Sequence, residues 1–165
     1  MSNQKDLGAI AGGIIDANFY MVLGTADEGG QPWVSPVYFV ADRYTEFYWV
    51  SSPDVTHSRN LAVRSQLSIV IFDSQVHPGS GQAVYMTAVA EQLAGENLEP
   101  GLDIYSRGAV ARSARAWEPK EVRPPALYRL YRATVSQHFI LCPRTPGQAC
   151  TVHGRAFDHR TEVSL

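Results

Sequence analysis

The strongest constraint on the fold lies between Asn18 and Phe72, where three apolar, aromatic-rich segments (19–25, 33–40 and 45–51) are separated only by short breaks. The breaks Ala26-Asp27-Glu28-Gly29-Gly30 and Ala41-Asp42-Arg43-Tyr44 carry turn residues, so the segments read as consecutive antiparallel strands joined by hairpins. The polar run 51–61 then follows a strand directly and opens a short helix over 56–63. A helix start supplied with hydroxyl and basic side chains is where a phosphate would be held.

The rest of the chain extends this pattern. Leu7, Ile10, Ile14 and Ile15 lie at helical spacing and predict an N-terminal helix over 7–18, weakened by Gly8, Gly12 and Gly13, that covers an end of the sheet. Segments 67–72 and 82–93 predict a fourth and a fifth strand around a Pro- and Gly-punctuated loop at 73–81. Leu98, Leu102, Tyr105 and Ala109 predict a helical region over 96–116, broken near Gly101 or Gly108 and stopped by Pro119. Strand character resumes over 126–141, and 151–153 and 162–165 read as short edge strands. No internal repeat or linker divides the chain, so residues 1–165 are expected to form one domain. Six or more strands with short connections predict a mainly β (α+β) fold, a Greek-key-like antiparallel barrel with a few short helices.

Composition bounds the partners. A chain of 165 residues, 45% of them hydrophobic and 18% charged, buries roughly 68–70% of its unfolded surface on folding and needs no metal or disulfide staple. The formal charge of −2 gives no general electrostatic case for nucleic acid or an anionic membrane. Small molecules and other subunits are the expected partners. The polar start Met1-Ser2-Asn3-Gln4-Lys5-Asp6 lacks the apolar core of a signal peptide, which predicts a cytoplasmic protein. In that compartment Cys142 and Cys150 are expected as free thiols, although a bridge between them is geometrically possible. The five histidines, His57, His77, His138, His153 and His159, show no compact ligand spacing with Cys or carboxylate partners, and no metal is expected. A dinucleotide fingerprint, a P-loop and a nucleophile elbow are all absent from the sequence.

Five ordered pieces carry a more specific signal: Leu23-Gly24-Thr25, Gly30-Gln31-Pro32-Trp33-Val34-Ser35-Pro36-Val37, Phe47-Tyr48-Trp49-Val50-Ser51-Ser52, His57-Ser58-Arg59-Asn60-Leu61 and Leu67-Ser68-Ile69-Val70. In this order they resemble the pyridoxamine 5′-phosphate oxidase-like, FMN-binding split-barrel family, whose pattern runs LGT, G-x-P-x-x-S-P-V, F-x-x-S and a basic K-x-x-N-L. The resemblance extends more weakly through 83–91 and 127–132. It implies a split antiparallel barrel, a homodimer with flavin sites at the subunit interface, and a flavin-dependent oxidoreductase acting on a small molecule. It further implies that Ser35, Pro36 and Val37 pass the flavin and that Val50, Ser51 and Ser52 contact ring and phosphate. Thr56, His57, Ser58 and Arg59 would take the phosphate, while Gln82 and Arg129 reach the flavin from later strands, Arg129 toward the partner's. His57 stands where the family places Lys or Arg, and neutral imidazole offers a hydrogen bond and only partial charge near pH 7.

That departure keeps two alternatives beside FMN: a deazaflavin-dependent reductase, and a flavin- or haem-binding protein without turnover. The family's basic R-x-H substrate-phosphate motif is missing, Tyr131-Arg132-Ala133 standing in its region, so pyridoxamine phosphate is not the expected substrate. Each residue also has a plainer reading. Ser51-Ser52-Pro53 is an ordinary strand-ending turn, Arg59 and Arg64 solvate a helix face, and Trp33, Trp49 and Tyr38 are core or interface aromatics. Trp117, between an Arg-rich run and a Pro-rich connection, reads as a loop anchor.

Overall fold

Period-two burial shapes the sheet in this computed structural model, which describes residues 2–145 and 147–165. In β1 (Tyr20–Ala26) Met21 and Leu23 are buried while Tyr20 is exposed and Val22 half-exposed; β5 (Gln66–Phe72) buries Leu67, Ile69 and Ile71 in the same way. β2 (Pro32–Tyr38), β3 (Val40–Asp42), β4 (Glu46–Ser51), β6 (Ala83–Gln92), β7 (Arg129–Leu141) and β8 (Arg160–Val163) complete an eight-stranded antiparallel sheet. Its strand order is β2-β1-β5-β6-β7-β4-β3, with β8 added to β7. The two ends of that order, β2 and β3, are consecutive in the chain, so the sheet curls until its edges meet at the fully buried Phe39. The result is a split β-barrel of the α+β class.

The segment 33–40 expected as one strand is therefore two, β2 pairing with β1 and β3 with β4. A bulge at Ser136, where Thr87↔Gln137 is followed by Ala88↔Val135, bends β7 so that it can serve β4 at one end and β8 at the other. β4 buries Phe47, Tyr48 and Trp49 in succession because both its faces are covered. Phe47 and Trp49 enter the barrel, where Trp49 stacks on Tyr131 at 5.5 Å and α1 (Ser2–Ala17) contributes Leu7, Ala11 and Ile15. Tyr48 faces outward into a second core with Leu130, Leu102 and Tyr105, beneath α3 (Leu98–Ala111).

The helical region is shorter and more continuous than its glycines predict. A 3-10 turn, Gly95–Asn97, leads into α3, which runs unbroken past Gly101 and Gly108. A Cβ at Gly108 would collide with the Val40 side chain, and one at Gly101 with Leu93, so these glycines let the helix approach the sheet closely. Pro119 is likewise an N-terminal helix residue, opening α4 (Pro119–Val122) behind a Glu118/Glu121 capping box. β7 begins at Arg129, three residues later than expected, and 151–153 is a turn rather than a strand. Trp117 anchors its loop, its ring 3.8 Å from the Arg115 guanidinium and edge-on to Tyr128. No helix among the described residues is long and apolar enough to cross a membrane.

Candidate functional site

The polar run after β4 forms α2 (Thr56–Val63), with the boundaries its sequence predicts. Val55 precedes it in extended conformation and no side chain caps it. Its first intrahelical bond is donated by Arg59 N–H to Val55 O at 3.0 Å, so the amides of Thr56, His57 and Ser58 lie outside the helical ladder. Three amides and the positive end of the helix dipole converge at this turn.

The side chains divide between holding the turn in place and facing outward. His57 is 7% exposed, and its Nε2 lies 3.0 Å from the Ser51 hydroxyl. Burial pushes its pKa below the ordinary imidazole value, so the ring is neutral and committed to β4 rather than a cation for an anion. Asn60 donates from Nδ2 to the Thr25 hydroxyl at 3.1 Å, and Thr25 donates in turn to the Trp33 carbonyl at 3.3 Å, tying α2 to β1 and β2. Ser52 accepts the Asp54 amide at 3.2 Å. Arg59 is exposed and folds back over the first turn, donating to the Asp54 carbonyl and, at 3.4 Å, to the Thr56 hydroxyl. Ser58 is 3% exposed; its hydroxyl makes no hydrogen bond of ordinary length among the described residues, and the Tyr131 phenol is the polar group that neighbours it. A ligand oxygen at the turn would offer this hydroxyl a closer partner than the Tyr131 phenol does.

The other residues named from the sequence fall into four groups. Ser35 and Trp33 lie on the inner face of β2, where the Trp33 indole donates to the Ser35 hydroxyl at 3.0 Å and remains half exposed. Ser51 is paired with Arg129 across the β4–β7 ladder, but the Arg129 guanidinium turns back to the Ala126 and Tyr128 carbonyls at 2.6 and 2.5 Å. Pro36 alternates to the outer face, Val37 is buried in the barrel core and Val50 packs under α3, so these three can offer a ligand at this mouth little beyond backbone atoms. Gln82 precedes β6 rather than lying on it, with Gln92, which pairs with Tyr131, at the far end of that strand. On the order of 30 Å of strand separates Gln82 from the Ser51–Arg129 end within one subunit. Its buried Oε1 has no partner among the described residues.

The family model described as pyridoxamine 5′-phosphate oxidase matches residues 13–142. No curated protein matches the chain by sequence. Among solved structures, a heme-binding protein from Mycobacterium smegmatis is 19% identical with a TM-score of 0.62, over 90% of this chain and 55% of that one. This chain thus spans about half the length of that protein. The heme storage protein HutZ from Vibrio cholerae is 19% identical with a TM-score of 0.58, covering 76% of this chain and 87% of that one. An FAD-binding protein from Mesorhizobium loti is 19% identical with a TM-score of 0.61, covering 80% and 91%. At these identities the likeness is one of fold.

Proposed function

Because the chain belongs to the pyridoxamine 5′-phosphate oxidase family, we propose that it is an FMN-dependent oxidoreductase whose cofactor phosphate seats on the first turn of α2. The observation that carries this reading is the uncapped amides of the first turn with the Arg59 guanidinium folded over them, beside a buried Ser58 hydroxyl that makes no hydrogen bond of ordinary length among the described residues. Thr56, Ser58 and Arg59 would bind the phosphate, while His57 and Asn60 hold the turn against β4 and β1. FMN, when bound, supplies the hydride and electron transfer, so no triad of protein acids and bases is required. Pyridoxamine phosphate is not the substrate we assign. Arg132, in the region of the missing basic motif, is held by Glu46 at 3.2 Å and Glu91 at 2.6 Å.

We assign a homodimer to the same reading. On the outer face of the sheet, Pro36, Val22, Val70, Tyr85 and Phe139 stand in register across five strands, none of them fully buried. A second copy of this chain is the occupant that the family's interface-bound cofactor calls for.

The deciding experiment is the visible spectrum of the purified protein together with mass identification of the ligand released on denaturation. Two flavin bands and recovered FMN support the proposal. A Soret band would favour the haem reading suggested by the haem-binding fold neighbours, and a released deazaflavin the related reductase reading. If the protein is colourless, titration with FMN and riboflavin replaces the release step, and absence of FMN binding at micromolar concentration overturns the assignment.

A further inference from the structure

We propose that Cys142, Cys150, His153 and His159 form a closed, tetrahedral zinc site that pins the C-terminal segment to the end of β7. The four ligand atoms all lie within 4.8 Å of one another. Cys142 Sγ is 3.5 Å from His153 Nδ1, Cys150 Sγ is 3.7 Å from both His153 Nδ1 and His159 Nε2, and the two ring nitrogens are 3.2 Å apart. A tetrahedron with Zn–N near ~2.05 Å and Zn–S near ~2.3 Å has edges of about 3.4 Å for N···N, about 3.6 Å for N···S and about 3.8 Å for S···S. These four separations match their edges to within about 0.2 Å, and the remaining two, from Cys142 Sγ to Cys150 Sγ and to His159 Nε2, are no longer than 4.8 Å, so a small contraction around one ion completes the tetrahedron.

The surroundings are those of a metal site rather than of a disulfide with two bystander histidines. The second nitrogen of His159, Nδ1, lies 3.1 Å from the Phe157 carbonyl, which places the proton there and leaves Nε2 a free lone pair toward the sulfurs. The His153 amide donates to Cys150 Sγ at 3.2 Å, a bond that favours thiolate, and the Cys150-x-x-His153 turn is closed by Gly154 N–H to Cys150 O at 2.9 Å. Both cysteines are unbridged and 2% exposed. Two thiolates and two neutral imidazoles balance a divalent cation, and this sulfur–nitrogen set in tetrahedral array selects zinc. Four protein ligands leave no open position, so the site is structural.

The topology explains what the ion would do. Leu141 pairs with Arg160, and the Cys142 amide donates to the His159 carbonyl at 2.9 Å, so two ligands face each other one residue beyond the end of the β7–β8 ladder. Cys150 and His153 come from the intervening segment, whose described residues form neither helix nor strand. Connections of that length inside a folded domain usually need a staple or a function. Three of the four ligands lie beyond residue 142, where the family match ends, so most of the site falls outside the matched segment.

The test uses the untagged full chain. Elemental analysis after purification without chelator is expected to find about one zinc per chain, removable with a chelator under reducing conditions. Titrating the reduced, metal-free chain with Co2+ should give tetrahedral d–d bands and a thiolate charge-transfer band that saturate at one equivalent. His153→Ala, at an exposed position outside the core, should weaken Co2+ binding at least about tenfold and alter the d–d bands. Because this variant and Cys150→Ser can be checked for folding by circular dichroism, and the wild-type titration needs no variant, misfolding cannot imitate the result. No zinc in the purified chain together with no saturable Co2+ bands would overturn the proposal. So would a His153→Ala chain that binds Co2+ with unchanged affinity and spectrum, or thiols that are blocked before reduction and bind no metal after it.

Discussion

The imidazole Nε2 of His57 lies 3.0 Å from the hydroxyl of Ser51, joining the first turn of α2 to the last residue of β4. Helix start and strand end are thereby held as one unit, and the ring that makes the link is buried and neutral.

Arg59 is the side chain at this turn whose positive charge a phosphate can reach. Arg59→Ala should weaken FMN binding by about 1.5–3 kcal/mol, roughly ten- to a hundredfold, and leave riboflavin, which has no phosphate, unaffected. Fluorescence titration with both ligands reads this. Equal losses for the two would show that Arg59 holds the fold rather than the phosphate.

Acid should destabilise the protein through its buried histidines. Burial lowers the pKa of His57 and of His138 in the folded chain, while in the unfolded chain each titrates near ~6.5. Below that value the unfolded state binds more protons, so unfolding free energy rises with pH. This share of stability is complete above about pH 6.5 and is lost as pH falls from there through the folded-state values. Urea midpoints between pH 5 and 8 should therefore slope less steeply for His57→Gln than for the wild type, and identical slopes would refute a neutral His57.

Two glycines should respond oppositely to alanine. At Gly108 a methyl meets the buried Val40 side chain, and overpacking of about 1–3 kcal/mol outweighs the helix propensity gained, so Gly108→Ala should lower the denaturation midpoint. Gly13 lies on the exposed side of α1, where an added methyl would meet nothing within 4 Å, and should gain about 0.5–1 kcal/mol from the same change. A stabilised Gly108→Ala would mean that α3 can move away from β3.

The outer apolar row can be tested at its margin. Val34 is 67% exposed and pairs with Gly24 beside Val22, so Val34→Lys should leave the barrel folded while adding a charge to the proposed interface. Light scattering should report a dimer for the wild type and a shift toward 18.2 kDa for the variant. An unshifted dimer would place the interface elsewhere.

Local pattern was sufficient wherever structure follows from neighbours in the chain. Apolar, aromatic and β-branched segments between turn residues marked β1, β4 and β5, and alternation marked β6, each to within a residue or two, while the polar run 51–61 directly after a strand marked the start of α2. The motif order marked the family, since spacing along the chain is what a family pattern records. Tertiary structure decided whatever depends on approach in space. The glycines of α3, helix breakers by propensity, are retained because Val40 and Leu93 press against them. His57 reads as a partial cation from its type, but burial, a property of the whole fold, makes it neutral. The family resemblance aligns Gln82 approximately with a flavin contact on the fifth strand, yet the length of β6 carries it to the end of that strand away from Ser51 and Arg129. Cys142, Cys150, His153 and His159 are separated by seven, two and five residues; the two- and five-residue gaps are ligand spacings that sequence reading missed, and the seven-residue gap to Cys142 completes no compact motif. The antiparallel pairing of β7 with β8 puts Cys142 beside His159, and the turn between them brings the other two to the same point.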